Sequence, residues 1–313
     1  MSRHVVFGTG QIGRLVAERL VRDGAEVVAV NRSGRGALPG AEVVGGDATD
    51  PEFTRRVGKG ADAVYCCLNA TSYARWPEQF PPLQRGVLAG AEAAGARLVV
   101  LENLYAYGPP GDRDLAESLP ANPTSAKAAT RAAMTEELLA AHAAGRVAVA
   151  IGRASDYFGP GTTVSALGAN VFASALAGRT VQVMGNPDRP HSYSYTPDVA
   201  AGLVALGTHP EAAGAVWHLP IAETRTTRQI VEHVFTSAGA RGRTVAAGPV
   251  ALALLGLFSP DLREYRHTLY QFTGRWVVDD SRFRAAFGNL ATPLDDALDA
   301  TVAWFRARTQ ETS

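Results

Sequence analysis

The chain of 313 residues is 46% hydrophobic and 19% charged, with 30 basic against 30 acidic residues and no formal net charge. Those values describe a globular protein long enough for two modest domains, or for one open-sheet domain carrying a smaller lobe. They supply no basic footprint for nucleic acid and none for an anionic membrane surface, so neither is expected as a partner.

His4 to Phe7 is a short β-branched run ended by Gly8, and Gln11 to Arg22 carries apolar residues at Ile12, Leu15, Val16, Leu20 and Val21. The spacing predicts a strand, a glycine turn and an amphipathic helix. Gly24 stops that helix, and Glu26 to Val30 reads as a second buried strand, completing a βαβ unit. The alternation continues with a strand at Glu42 to Val44, a helix opened by Asp50-Pro51, a strand at Ala63 to Leu68, a helix from Pro77 to Ala94 and a strand at Arg97 to Leu101. Beyond the loop Gly108-Pro109-Pro110-Gly111, Ser125 to Ala144 is helical in composition and leads to a sixth strand, Val147 to Ile151. Pro197 to Leu206 reads as a helix and Ala215 to Leu219 as a strand able to return to the sheet. The expected fold class is α/β, a Rossmann-type doubly wound parallel sheet with a smaller, mostly C-terminal substrate lobe. In that division residues 1–151 and about 196–219 form the dinucleotide-binding domain, and about 152–195 and 220–313 the lobe.

The most apolar stretch, Val250 to Phe258, is far too short to span a bilayer, and Ser2-Arg3-His4 lead straight into a strand pattern without a signal-peptide core. No membrane association and a cytoplasmic location are expected. Cys66 and Cys67 are adjacent, so their side chains would face opposite ways on a strand and could not bridge without strain. Neither a disulfide framework nor a thiolate metal site is expected, and the seven histidines show no paired metal-binding arrangement.

The strongest motif is Gly8-Thr9-Gly10-Gln11-Ile12-Gly13, which follows a buried strand and opens a helix. Its glycines permit a tight turn and the close approach of a pyrophosphate to the helix N-terminus, where free N–H groups and the dipole favour an anion. At the end of the second strand an acid would serve the ribose hydroxyls of NAD, but the residues are Asn31, Arg32, Ser33 and Arg35. A guanidinium pairs with a 2′-phosphate that a carboxylate would repel, so NADP(H) is preferred to NAD(H). Asp47-Ala48, after the third strand, either contacts an adenine edge or caps a turn. Leu68 and Asn69 follow the fourth strand at its C-terminal end, where open α/β sheets bind ligands, and Asn69 is placed to line the cofactor channel. Cys66 and Cys67 read as small buried hydrophobes.

By these residues the chain resembles the extended branch of the short-chain dehydrogenase/reductase superfamily, the NAD(P)-dependent epimerase/dehydratase family. The likeness also covers Val100 through Gly108-Pro109, the helix near Pro123, Arg153 through Gly159-Pro160-Gly161, the segment Tyr193 to Ala200 and the tail from Asp280-Ser281-Arg282 to Trp304. The resemblance implies a Ser or Thr after the fifth strand and a Tyr-x-x-x-Lys on the next helix. Here those positions hold Asn103, Lys127 and Arg131. The stretch is similar to the atypical isoflavone-reductase-like and NmrA-like proteins in carrying a helix lysine where the tyrosine would be. Lys127 is thus a candidate acid/base, with Arg131 one helical turn away; a clamp on the nicotinamide ribose and a solvated surface lysine are the other readings. Asn103 is a candidate to orient a carbonyl or water, and Tyr105 a candidate substitute proton donor, whereas Tyr107 matches a mostly structural position.

The resemblance further places Asp156 and His191 where nucleotide-sugar enzymes carry an Asn and an Arg that contact the diphosphate, which disfavours such substrates here. Tyr157, Phe158, Tyr193, Tyr195, Tyr265, Tyr270 and Phe272 suggest aromatic walls for a small, partly apolar acceptor, although at least half of them are expected to be core. The substrate residues expected are Asp156, Tyr157, His191 and Tyr193. The leading expectation is an NADPH-dependent reductase of a small carbonyl, imine or enone; a nicotinamide-dependent epimerase or dehydratase and a non-catalytic NADP-sensing protein are the alternatives. The oligomeric state stays open, a homodimer included.

Overall fold

His4, Val5, Val6 and Phe7 of the first strand, β1 (Arg3–Phe7), are all buried, the mark of a strand covered on both faces. The computed structural model describes residues 1–247 and 266–311. Helix α1 (Gln11–Arg22) buries Ile12, Gly13, Val16, Ala17 and Leu20, the stripe expected of a helix lying on a sheet. After β2 (Glu26–Asn31) and β3 (Glu42–Gly45), α2 (Pro51–Gly58) starts where the Asp50 side chain accepts a hydrogen bond from the Glu52 N–H, with Pro51 in the first turn. Then come β4 (Ala63–Cys66), α3 (Trp76–Ala94), β5 (Arg97–Glu102) and α4 (Ala126–Ala143), the last capped by the Ser125 hydroxyl on the Ala128 N–H.

The chain continues through β6 (Val149–Arg153), β7 (Asp156–Phe158), α5 (Ala169–Leu176), β8 (Val181–Met184), β9 (Pro190–His191), β10 (Tyr193–Tyr195), α6 (Thr196–Thr208) and β11 (Ala215–His218). It then forms β12 (Arg225–Thr226), α7 (Thr227–Ala238), β13 (Thr244–Ala247), α8 (Tyr270–Thr273), α9 (Ser281–Phe287) and α10 (Leu294–Glu311). The strand order β11-β6-β5-β4-β1-β2-β3, with every neighbouring pair parallel, is a doubly wound Rossmann-type sheet, and the expected α/β class holds. The apolar run Val250 to Phe258 and Tyr265 lie outside the described residues.

Two compact units divide the chain: residues 1–106, 125–154 and 199–219 in the first, and 107–124, 155–198 and 220–313 in the second. In the first, Val5, Phe7, Val28, Val30, Val64, Cys66, Leu98, Val100, Val149 and Ile151 alternate along their strands onto one sheet face, against Phe53, Val57, Val87, Leu88, Ala91 and Leu138 from α2, α3 and α4. In the second, β7 pairs with β10, β8 with β13 and β9 with β12, while α5, α7 and α10 share a core in which Phe172 and Phe305 stack at 5.0 Å.

The sheet strands differ from expectation mainly at their C-terminal ends. β5 runs on to Glu102 and β6 spans Val149–Arg153 instead of Val147 to Ile151, because their terminal charges are satisfied internally. Arg153 donates from Nε to Glu102 at 3.2 Å, and the Thr135 hydroxyl of α4 donates to the same carboxylate at 2.9 Å while accepting from Arg153 at 3.1 Å. All three residues are buried. Removing one partner leaves an uncompensated buried charge, so Glu102→Leu should lower unfolding stability by about 3–5 kcal/mol, read as a drop in the urea midpoint.

Candidate functional site

In the first unit the glycine motif forms the turn from β1 into α1. Gly8 has φ +97°, a left-handed conformation, and a Cβ there would stand 2.7 Å from the Cys67 carbonyl oxygen. A Cβ on Gly13 would lie 1.8 Å from the carbonyl oxygen of Gly8, so only glycine lets the helix pack this closely on the turn. Gly10 is different. A Cβ there meets nothing within 4 Å, and as the N-cap of α1 it offers no side chain to the N–H groups of the first turn. Open space over uncapped N–H groups at Gln11, Ile12 and Gly13 fits a dinucleotide pyrophosphate.

Asn31 at the end of β2 builds the next loop. Its amide donates to the Thr9 hydroxyl at 3.0 Å and to the Arg35 carbonyl at 2.9 Å, and its oxygen accepts from the Gly34 N–H at 2.8 Å. The Asn31 amide is therefore committed to the fold and not offered to a ribose; what the loop presents is the exposed side chains of Arg32 and Arg35. Asp47 caps a turn by accepting from the Thr49 N–H at 2.8 Å. That bond, with the Thr49 side chain and the Arg32 charge, holds the Asp47 carboxyl below the usual carboxylate range. Ala48 is buried, Leu68 is half-buried and Asn69 is exposed beyond β4. Burial pushes the Cys66 thiol up to about 11 and the Cys67 thiol higher, which disfavours the thiolate at both.

On α4, Lys127, Arg131 and Thr135 recur at every fourth position and are all buried, Lys127 being only 2% exposed. The surface reading of Lys127 is excluded by that burial. Its Nζ lies 5.2 Å from the ring centroid of Tyr73 and 5.6 Å from that of Tyr105, whose π faces attract the ammonium. Arg131 sits 3.9 Å over Phe80 and 5.2 Å over Trp76. Trp76 stacks with both tyrosines, at 5.0 Å from Tyr73 and 6.0 Å from Tyr105. An aromatic brace thus holds both cations. Asn103 is half-buried and its side-chain oxygen accepts from the Tyr105 N–H at 3.1 Å, which shapes the turn after β5. Tyr73 and Trp76 were not singled out in the sequence; they lie in and beside the short segment Tyr73–Arg75, where no periodicity marks a packed face.

In the second unit, Asp156 at the start of β7 pairs with His191 of β9, Oδ2 to Nε2 at 2.9 Å, and His191 Nδ1 meets the Gln271 carbonyl at 3.1 Å. His191 is 2% exposed, with the rings of Tyr193 at 4.2 Å and Phe272 at 4.9 Å against it. The Tyr193 hydroxyl is bonded to Thr227 at 2.8 Å, and burial pushes its ionisation well above the ordinary tyrosine range. Of the four expected substrate residues, His191 and Tyr193 are thus buried with their polar atoms engaged inside the unit, while Asp156 and Tyr157 keep partial exposure. Phe158, Tyr193 and Tyr195 belong to the apolar core of the unit. Among the described residues no group of three or more potential ligands could hold a metal ion, and no helix is long and apolar enough to cross a membrane.

A model of the NAD dependent epimerase/dehydratase family matches residues 5–220. UDP-glucose 4-epimerase of Streptomyces lividans is 31% identical over 163 residues, a match that covers 46% of this chain and spans 50% of that relative's length. Among solved structures, dTDP-glucose 4,6-dehydratase from Bacillus anthracis str. Ames in complex with NAD covers 99% of this chain and 98% of its own, at a TM-score of 0.80 and 15% identity. UDP-glucose 4-epimerase from Thermotoga maritima with UDP-glucose covers 98% and 99%, at 0.79 and 17%. At such identities the structural likeness shows the fold, and it is the Rossmann-type fold expected from the sequence.

Proposed function

The chain belongs to the NAD dependent epimerase/dehydratase family, and we propose that within it this protein is an NADPH-dependent reductase of a small, partly apolar carbonyl, imine or enone. The observation that carries the reading is Lys127, 2% exposed and held over two tyrosine rings where the family resemblance calls for a tyrosine. When bound, the cofactor supplies hydride, two electrons and one proton's worth of hydrogen. The remaining proton must come from the protein or from water.

Gly10 and the first N–H groups of α1 would hold the pyrophosphate of such a cofactor and Arg32 and Arg35 its 2′-phosphate, with Asp47 and Ala48 the residues assigned to the adenine and Leu68 and Asn69 those assigned to the channel. Lys127 delivers a proton to the acceptor oxygen, nitrogen or carbon, directly or through one water. Tyr105, fixed through its N–H by Asn103, is the next candidate for that proton.

The arginine assignment has a direct test. NADPH should bind more tightly than NADH, and Arg32→Asp should reverse or abolish the preference in a fluorescence titration; equal affinities in the wild type would end the claim. A second reading, an epimerase or dehydratase in which the nicotinamide cycles without net turnover, is favoured by the 31% identity with UDP-glucose 4-epimerase. Anaerobic mixing with NADPH and a panel of aldehydes, ketones, imines and enones separates the readings. Sustained loss of nicotinamide absorbance supports the reductase, conversion without net oxidation supports the epimerase, and binding without conversion supports a non-catalytic NADP sensor.

A further inference from the structure

Four rings and two cations form a cluster of their own in the first unit. Trp76 and Phe80 are buried with Ala70 and Met134 in a small group beside the main core, and Tyr73 and Tyr105 pack against it half-buried. Trp76 is stacked within 17° of parallel on Tyr73 and within 27° on Tyr105, stands edge-on to Phe80 at 5.2 Å, and carries the Arg131 guanidinium over its own ring. Its Nε1 is buried without a hydrogen-bond partner among the described residues. A buried N–H left unbonded is a cost, and what the indole offers against it is its face, the most cation-attracting of the aromatic side chains.

Short polar contacts place the rings. Gln79 of α3 accepts with Oε1 from the Thr71 hydroxyl at 3.1 Å and from the Ser72 N–H at 3.3 Å, which folds the segment carrying Tyr73 back onto the start of α3. Tyr105 is set by the Asn103 turn after β5, the strand that pairs with β4. The two rings that meet Lys127 Nζ thus come from adjacent βα connections, and Trp76, stacked on both, ties their positions together. Of the chain's 30 basic residues two are lysines, Lys127 and the exposed Lys59. The cation held against these tyrosines is therefore an ammonium, able to give up a proton that a guanidinium would keep.

We infer that Tyr73 and Trp76 are positioning residues for Lys127: the stacked rings hold its ammonium in one place through their π faces, and the ring of Tyr73, not its hydroxyl, does the holding. A flexible four-carbon side chain is otherwise free to present its proton in many directions. Confining it removes that freedom before the reaction begins, which is where oriented groups gain their rate. Trp76 acts at one remove, by fixing Tyr73 and Tyr105 relative to each other and by carrying Arg131 on its own face. The catalytic consequence rests on Lys127 as the proton donor of the proposed function, but the holding itself is read without cofactor or substrate.

The test is site-resolved acetylation of the full chain by trace N-hydroxysuccinimidyl acetate, without nicotinamide, with Lys59 as the internal reference. In the wild type Lys127 should label at least about tenfold more slowly than Lys59. Tyr73→Leu keeps an apolar side chain but removes one π face, and should raise the Lys127 rate by about three- to thirtyfold, the equivalent of one cation–π contact, with Lys59 unchanged. Trp76→Leu should raise it further, and Tyr73→Phe, which keeps the ring, should label as the wild type does. In NADPH turnover Tyr73→Leu should lower kcat by about tenfold or more while KM and NADPH affinity stay near their wild-type values, a split that loss of packing alone would not give. If Trp76→Leu is unstable, the Tyr73 series decides alone. A wild type in which both lysines label alike would overturn the inference. So would a Lys127 rate unchanged in a folded Tyr73→Leu, a rate raised equally in Tyr73→Phe, or an unchanged kcat in Tyr73→Leu. Because labelling needs neither cofactor nor acceptor, its failure is distinct from failure of the reductase reading, which shows only in NADPH turnover.

Discussion

Lys127→Met should lower kcat by about two to four orders of magnitude while NADPH affinity stays within a few-fold of wild type. The methionine keeps most of the side-chain volume and can still pack between Tyr73 and Tyr105, so the change removes the proton and the charge more than the packing. The pattern of loss distinguishes roles. A clamp on the nicotinamide ribose would instead weaken NADPH binding, by about 1.5–3 kcal/mol for a hydrogen bond from a charged group. A proton donor must be protonated to act, so the wild-type reductive rate should fall on the alkaline side, and that limb should be missing in Lys127→Met. Persistence of the same limb would assign the proton to another group, with Tyr105 the first to replace. Since Arg131 is braced by Phe80 and Trp76 in the same cluster, the methionine variant should be checked for an unchanged thermal midpoint before its kinetics are read.

Gly10→Val should abolish measurable binding of both NADPH and NADH in a chain that still folds. The geometry separates this glycine from its neighbour in the motif. At Gly10 an added Cβ meets nothing within 4 Å, so the side chain enters open space over the first turn of α1 without disturbing the packing. That is the space a pyrophosphate needs. Gly13→Val, in contrast, drives a Cβ to 1.8 Å from the Gly8 carbonyl oxygen, and α1 would have to lift from the sheet. Its unfolding midpoint should fall sharply, whereas that of Gly10→Val should not. Normal cofactor affinity in a folded Gly10→Val would make the loop a structural turn and nothing more.

The legible parts of the fold were those where local pattern and tertiary demand agree. α1 runs over Gln11–Arg22 as its apolar spacing indicates, because the stripe that buries Ile12, Val16 and Leu20 is also the helix's own periodicity. The ends of β5 and β6 were not legible, since Glu102 and Arg153 continue their strands past the apolar runs, paired in the ladder and with each other's charge. The same limit applies to the site. The glycine motif is marked by its spacing within one βα unit and Lys127 by the family resemblance, but the aromatic brace joins Tyr73 and Trp76 to a helix far along the chain. His191 looked like a weak substitute for a guanidinium facing a ligand. Its partners, Asp156 and the Gln271 carbonyl, come from distant segments, and no local signal shows that both nitrogens are engaged.

Net hydride delivery to an organic acceptor is decided by a single-turnover experiment with NADPH deuterated at its transferable position. Enzyme, labelled cofactor and each carbonyl, imine or enone acceptor are mixed anaerobically, and the product is analysed by mass while nicotinamide absorbance is followed. One deuterium should enter the product for each NADPH oxidised, with the rate collapsing in Lys127→Met. Conversion of a substrate with no net NADPH oxidation, or bound NADPH that reduces no acceptor in the panel, would rule out hydride delivery.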